Sequence, residues 1–437
     1  MGSFETRKPY SISPPQAGHF GMFALTPSIQ AFVMKVDISF PQIYCGGCFI
    51  KLSERFSISA TKLPDAACAI LLSDPTYHPP SCEMMEMKEI MEGERILIEH
   101  HLEDFFRQEM ERSSDEPLMV ELLEALREYT LRGGKRIRSI LAIMGYKAVR
   151  GDDLDRARKA SISLELIQSM LLIHDDIMDR SDERRGGPSF HRIFQGLHER
   201  RGYLGSAERF GYNMAVIGGD LAESLGEKVL AASGFPPERV VEAVRVQSDM
   251  IRDTGFGQVF DIHSEVRPSW SEDMVEKVQK YKTARYTLEG PLHIGAVLHG
   301  AEEGQLRALS GYAIPVGIAF QIVDDILGFF GDPKRGGKED LADIKEGKRT
   351  LLITKAMELA GGEDRRLLME TLGSDHITVE EAERVRGIIR DCGSERYSRM
   401  RASELTVKGI TALEGADLED DVVEFLKDLA GYLLDRA

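Results

Sequence analysis

Cysteine is scarce: the five are Cys45, Cys48, Cys68, Cys82 and Cys392, four of them within the first fifth of the 437 residues. So odd and clustered a set excludes the disulfide framework of a small secreted domain. Cys45-Gly-Gly-Cys48 has the spacing of a zinc knuckle or a redox pair. The second pair such sites need is missing, so these thiols read as adventitious. Positive charge is also in deficit, with 55 Lys and Arg against 72 Asp and Glu, a net charge of −17 and a pI near 5.2. That balance excludes a nucleic-acid binder, whose affinity comes from basic side chains on phosphates. An acidic chain that handles polyphosphates must instead gather its positive charge locally. No stretch approaches the roughly 18 uncharged apolar residues of a membrane-spanning helix, which predicts a soluble, cytoplasmic protein. Strand-type alternation is nearly absent from the helical segments that follow residue 87.

What is present is ample apolar material, 42% against 29% charged, enough for a large core. Residues 1–83 stand apart. They hold nine of the seventeen prolines, balance six acids with six bases, and show no sustained helical period. This segment reads as a poorly ordered extension without the basic start and apolar core of a secretory signal. Its composition fits either an organelle transit peptide or a tail translated upstream of a start at Met84, Met85 or Met87. From residue 84 to 437 the chain reads as one helical domain. Apolar residues at three- and four-residue spacing predict helices over 87–111, 117–129, 155–178, 237–262, 270–298, 303–329 and 421–434. The breaks carry Gly186-Gly187-Pro188, Phe235-Pro236-Pro237 and Gly331-Asp332-Pro333. No repeat of solenoid length occurs.

Two of the apolar helices run into acids. The first ends in His174-Asp175-Asp176-Ile177-Met178-Asp179. Asp175 and Asp179 lie one turn apart on one face, where like charges repel. A divalent cation between them relieves that repulsion, and magnesium suits it, because it combines one or two carboxylates with substrate phosphates and water. Taken alone the cluster reads equally well as a solvated helix end. Arg184-Arg185-Gly186 shifts the balance, since guanidinium groups grip phosphate oxygens in pairs. The second acidic end is Phe320-Gln321-Ile322-Val323-Asp324-Asp325, with Gly328 where a third aspartate would repeat the first spacing. Asp332 returns to nearly the same stripe if the helix persists that far.

Basic residues recur at Gly133-Gly134-Lys135-Arg136-Ile137-Arg138, at Tyr281-Lys282-Thr283-Ala284-Arg285, and at Lys338, Lys345, Lys348 and Arg349. Each alone is a solvated face as readily as a site. Together with the acids they suggest two anion sites, one bridged by metal and one held by bare cations.

In this order the residues resemble the trans-prenyl diphosphate synthase family across roughly residues 87–437: Gly-Gly-Lys-Arg-Ile-Arg, Asp-Asp-Ile-Met-Asp with Arg-Arg-Gly, Gly257-Gln258-Val259-Phe260-Asp261, Tyr-Lys-Thr and Phe-Gln-Ile-Val-Asp-Asp. The resemblance implies an all-α bundle of long antiparallel helices around a central cavity, a homodimer, and magnesium as cofactor. It implies metal ligation by Asp175, Asp176, Asp179, Asp324 and Asp325, with Asp332 as candidate third ligand of the second motif. Arg184 and Lys282 would contact an allylic diphosphate, with Lys338 and Lys348 as further contacts. Gly134, Lys135, Arg138, Gln168 and Arg185 would hold isopentenyl diphosphate. Thr283 and Gln321 would face the developing cation, and Gln258 and Asp261 would serve the allylic site, Asp261 beside its metal. The uninterrupted first acidic motif differs from that of plastid enzymes, which weakens the transit-peptide reading.

The implied chemistry is an ionisation. Breaking the allylic carbon–oxygen bond leaves a delocalised cation and a diphosphate, isopentenyl diphosphate attacks, and a proton is lost, with the released diphosphate as base. No catalytic histidine is needed, and His174 reads as structural. Ile167, Met170 and Leu171, one to two turns before Asp175, would line the floor that limits chain length. Met170 predicts a short product, geranylgeranyl diphosphate first and farnesyl diphosphate next. A class I terpene cyclase would have no use for the second anion site, and a non-catalytic prenyltransferase subunit would have lost one acidic motif.

Overall fold

The computed structural model describes residues 42–45, 48–51, 82–267, 269–330, 344, 347–374 and 376–435. Asp332, Lys338 and Lys345 lie outside the described residues, as does most of the 1–83 extension. The chain divides between Cys82 and Glu83 into two units. In the first, β1 (Gln42–Cys45) and β2 (Cys48–Lys51) form an antiparallel hairpin with Cys45 opposite Cys48.

The second unit is built from helices. In order they are α1 (Cys82–Arg112), α2 (Pro117–Leu131), α3 (Ile137–Ala148), α4 (Leu154–Met178), α5 (Phe190–Arg201), α6 (Ala207–Ala231), α7 (Pro237–Glu265) and α8 (Glu272–Val278). A π-helical segment (Gln279–Glu289) then leads into α9 (Gly290–His299), α10 (Glu303–Phe330), α11 (Leu351–Leu359), α12 (Gly362–Thr371), α13 (Val379–Asp391), α14 (Ser394–Thr411) and α15 (Asp420–Leu434). Between α4 and α5, β3 (Glu183–Arg184) pairs with β4 (Gly187–Pro188) across the Gly-Gly-Pro break.

Local chemistry explains several of the boundaries. The side chains of Asp153, Ser206, Ser271 and Thr350 each accept a backbone N–H in the first turn of α4, α6, α8 and α11. Thr378 and Glu381 form a reciprocal capping box on α13. Proline opens α2 and α7, where its missing N–H costs nothing. Left-handed Gly202 and Gly300 close α5 and α9.

Two departures from the sequence reading matter for the site. The helix expected over 270–298 is three elements, because eleven residues widen into π-helix. Apolar periodicity cannot distinguish a widened turn from an ordinary one. The expectation that no stretch approaches membrane-spanning character is corrected by α10, which is long and apolar enough to cross a membrane by length and composition alone. In that stretch 56% is buried inside the domain, as befits a central core helix. Its first half joins the larger apolar cluster through Leu309, Tyr312 and Val316. Its second half joins a smaller cluster with α11, α13 and α14 through Ile322, Ile326 and Phe329.

Helix α6 was not singled out by its pattern. Gly211, Gly218, Gly219 and Gly226 weaken its helical signal, yet added methyls at the last three would meet Phe190, His174 and Ile167. These positions let α6 lie flat against α4, the helix that carries the first acids.

Candidate active site

The π-helical segment packs against α7, which carries Asp261, and against α10, which carries the second acidic cluster. A methyl group on Gly257 of α7 would overlap the backbone nitrogen of Lys282, and one on Gly317 of α10 would overlap Cα of Ala284. Each helix therefore presses its backbone against this segment at a glycine. The residue one turn further along is a functional candidate in both cases: Asp261 follows Gly257, and Gln321 follows Gly317.

The contacts follow from that placement. Lys282 Nζ donates to Asp261 Oδ2 at 2.7 Å and stands 3.9 Å from Asp175 Oδ1. The next residue, Thr283, donates through Oγ1 to Gln321 Oε1 at 2.8 Å, and the Gln321 amide donates to Asp325 Oδ1 at 2.8 Å. One consecutive pair thus links the first acidic cluster, on α4, to the second, on α10. Gln279, buried and one turn earlier, adds a longer contact of 3.4 Å to Asp325 Oδ2. Burial acts against the ammonium of Lys282, but Asp261 and Asp175 outweigh it and hold its pKa above the ordinary lysine value.

The three aspartates of the first cluster have different surroundings. Asp176 is fully buried. Its Oδ2 accepts the Tyr129 hydroxyl at 2.7 Å, and its Oδ1 accepts Arg184 Nε at 2.8 Å as well as Nη2. Burial opposes the charge of Arg184, but the hydrogen bond and charge of Asp176, together with Tyr129 and Asp175, outweigh it, so the Arg184 pKa is raised. Burial, then the Asp176 charge, pushes the Tyr129 hydroxyl up as well. Asp175 is only partly buried, with its side chain 25% exposed and Arg184 Nη2 at 3.8 Å. Asp179 caps the helix and faces α7: burial, then the charges of Asp261 and Asp179, raises the pKa of Glu265. Lys348 acts on both Glu265 and Lys282, which places it in the same electrostatic neighbourhood. Asp324 is exposed on α10, next to Asp325. Gln258 lies on the exposed side of α7, its amide 3.9 Å from Met178 Sδ.

A second, basic cluster lies between α3, α4 and the loop before α5. Arg138 donates to Gln168 Oε1 at 2.9 Å and to Thr287 Oγ1 at 2.9 Å, with its guanidinium carbon 4.0 Å from the Tyr286 ring centroid. Arg185 donates to the Gly133 carbonyl at 3.3 Å, and a methyl on Gly134 would lie 3.3 Å from its guanidinium. Arg136 and Arg185 both hold left-handed backbone, φ 52 in each, a strained conformation in two loops that face one another. Arg136 is neutralised by a buried ion pair with Glu165 at 3.1 Å. Desolvation, then repulsion from Arg136 and Arg138, pulls the Arg185 pKa down against the attraction of Glu165. So crowded a set of guanidinium groups favours an anion. Lys135 is turned toward α15, where its ammonium donates to the Tyr432 hydroxyl at 2.6 Å.

Gly134, Arg138, Gln168 and Arg185 therefore come together in one place, and Asp175, Asp261, Lys282, Thr283, Gln321 and Asp325 in another. Sequence reasoning missed Tyr129, Glu265, Gln279, Tyr286 and Tyr432. Tyr286 is 7% exposed, its hydroxyl lacks a hydrogen-bond partner among the described residues, and burial pushes it up to about 12. No local pattern marks these residues; only their long-range partners do. His174 packs its ring against Gly219, with Nε2 3.3 Å from the Val216 carbonyl.

The sequence pattern of the polyprenyl synthetase family matches residues 120–389. The geranylgeranyl pyrophosphate synthase of Geoglobus acetivorans is 32% identical over 80% of this chain and 99% of its own. A (2E,6E)-farnesyl diphosphate synthase of Mycobacterium tuberculosis is 31% identical over 69% of this chain and 80% of its own. Among solved structures, the geranylgeranyl pyrophosphate synthase of Corynebacterium glutamicum, complexed with isoprenyl diphosphate and magnesium, superimposes with a TM-score of 0.73. It is 34% identical, over 78% of this chain and 98% of that one. The matches span 80–99% of the length of these relatives, and the chain belongs to the polyprenyl synthetase family.

Proposed function

We propose that this chain condenses isopentenyl diphosphate with allylic diphosphates into a short-chain trans-prenyl diphosphate, with geranylgeranyl diphosphate as product and farnesyl diphosphate as the nearest alternative. The observation that carries this reading is the Lys282-Thr283 pair: Lys282 bonds Asp261 and stands 3.9 Å from Asp175, and Thr283 reaches Asp325 through Gln321, with a separate guanidinium cluster at Arg138 and Arg185 for a second anion.

In this reading Arg184, Lys282 and Lys348 bind the allylic diphosphate and Gln258 borders it. Gly134, Lys135, Arg138, Gln168 and Arg185 bind isopentenyl diphosphate. Thr283 and Gln321 turn polar oxygens toward the developing cation. Asp176, with both oxygens engaged, orients Arg184 instead of ligating metal. Asp332 and Lys338 keep the roles their sequence positions imply, metal ligation and diphosphate contact.

The donor set suits magnesium. Among the described residues no three His, Cys, Asp or Glu side chains could hold an ion unaided. Hard oxygens on Asp175, Asp179, Asp261, Asp324 and Asp325 nonetheless suit an ion that completes its shell with phosphate oxygens and water. When bound, magnesium supplies positive charge that stabilises the departing diphosphate. The protein's own part is to hold Arg184 and Lys282 against that leaving group and to keep water from the cation.

The test is transfer of label from isopentenyl diphosphate into an acid-labile product with dimethylallyl, geranyl and farnesyl primers, abolished by a chelator. Absence of product with every primer rejects the reading. Met170 is 4% exposed and Ile167 fully buried on α4. Met170→Ala should add at least one five-carbon unit to the main product, at a stability cost of about 2–3 kcal/mol. Met170→Phe should shorten it, and an unchanged product ladder in both variants places the floor elsewhere. Val216 and Ile217 on α6, with Phe256, Val259 and Phe260 on α7 and Val266 just after it, expose apolar surface suited to a second copy. Sedimentation at the monomer mass at micromolar concentration rejects the homodimer. A cytoplasmic location completes the reading, and fractionation with an organelle would overturn it.

A further inference from the structure

The last helix reaches back to the first loop of the basic cluster. Tyr432 of α15 accepts a hydrogen bond from Lys135 Nζ at 2.6 Å, and the same ammonium lies 4.9 Å from the centroid of its ring. Lys88 of α1 approaches that ring too, at 5.2 Å. Tyr432 is itself half-buried, and α15 is anchored by the buried Tyr312, whose hydroxyl donates to the Leu426 carbonyl at 2.6 Å. Lys135, by contrast, is exposed, and it follows Gly134, which packs on the Arg185 guanidinium.

We propose that Tyr432 is a positioning residue for Lys135, which makes α15 part of the site for the second diphosphate. An exposed lysine on a glycine loop has many rotamers, and ordering it on binding weakens affinity. The phenol oxygen, held out at the end of a half-buried ring, restricts the ammonium before the anion arrives. The restraint does not compete with the anion. A neutral phenol leaves the charge of Lys135 intact, and an ammonium has three N–H donors, of which Tyr432 takes one. Lys88 adds a second positive charge near the same ring. This inference rests on Lys135 belonging to the isopentenyl diphosphate site.

The test is steady-state kinetics of the full chain with each substrate varied in turn, paired with calorimetric titration of inorganic diphosphate. Tyr432→Leu should raise KM for isopentenyl diphosphate roughly tenfold, with KM for the allylic primer and kcat changed by less than about twofold. Tyr432→Phe, which keeps the ring and loses the oxygen, should fall between. On a Lys135→Ala background Tyr432→Leu should add nothing, because the contact it removes is already gone. A KM for isopentenyl diphosphate within about twofold of wild type in Tyr432→Leu, or an equal rise on the Lys135→Ala background, overturns the assignment. If the wild-type chain does not consume isopentenyl diphosphate, the synthase reading fails by itself. Titration still decides on Tyr432: diphosphate binding weakened in Tyr432→Leu supports positioning, and identical isotherms reject it.

Discussion

Asp175→Ala is expected to lower turnover by about a thousandfold while leaving the fold intact. Asp175 is partly exposed, and its two cationic neighbours are at 3.8 and 3.9 Å, beyond hydrogen-bonding range. Such loose pairs are worth about 0–1 kcal/mol to stability. Removing the charge also relieves repulsion with Asp179 one turn later, and Lys282 keeps its close partner Asp261. Function has no such substitute, because Asp175 is the accessible carboxylate of its motif that lies beside both Arg184 and Lys282. The measurements are kcat under saturating substrates and a thermal melt by circular dichroism. A melting temperature that drops by many degrees, or turnover within about tenfold of wild type, would mean that the cluster serves the fold and not the reaction.

Asp176→Ala is expected to do the reverse in kind, lowering unfolding free energy by about 3–5 kcal/mol. The substitution leaves the Tyr129 hydroxyl without its acceptor in a buried site and strips Arg184 of its partner. The magnitude combines both losses: the Tyr129 hydroxyl is stranded in a buried site, and the guanidinium of Arg184, itself 26% exposed, loses its close carboxylate and keeps Asp175 only at 3.8 Å. Activity should fall too, through the lost orientation of Arg184. Asp176→Asn, which keeps one carbonyl acceptor for Tyr129, should recover part of the stability and little of the activity. Urea denaturation of the three proteins decides the matter: a midpoint for Asp176→Ala equal to that of wild type would falsify the buried-anchor role.

Side by side in sequence, these two aspartates look equivalent. Their difference comes from Tyr129, 47 positions upstream, and from the Arg184 side chain folding back over the helix end. The same holds for the π-helical segment. Its apolar spacing reads as continuous helix, and only close contact with Gly257 and Gly317 shows why Lys282 and Thr283 reach two different helices. Helix α6 is hidden for the opposite reason, since the glycines that discourage an isolated helix are the ones that allow it to pack on α4 and α5.

The all-helical architecture, the two acidic helix ends and the basic loops were legible in the chain itself, because helical period, like-charge spacing and glycine punctuation are properties of neighbouring residues. Which carboxylate is locked and which is open was decided by tertiary structure. So were the joining of the two acidic helices at Lys282-Thr283 and the meeting of Tyr432 with Lys135 across 297 positions. Solvation and hydrogen bonding depend on groups that the chain brings together only after it folds, and no local pattern encodes them.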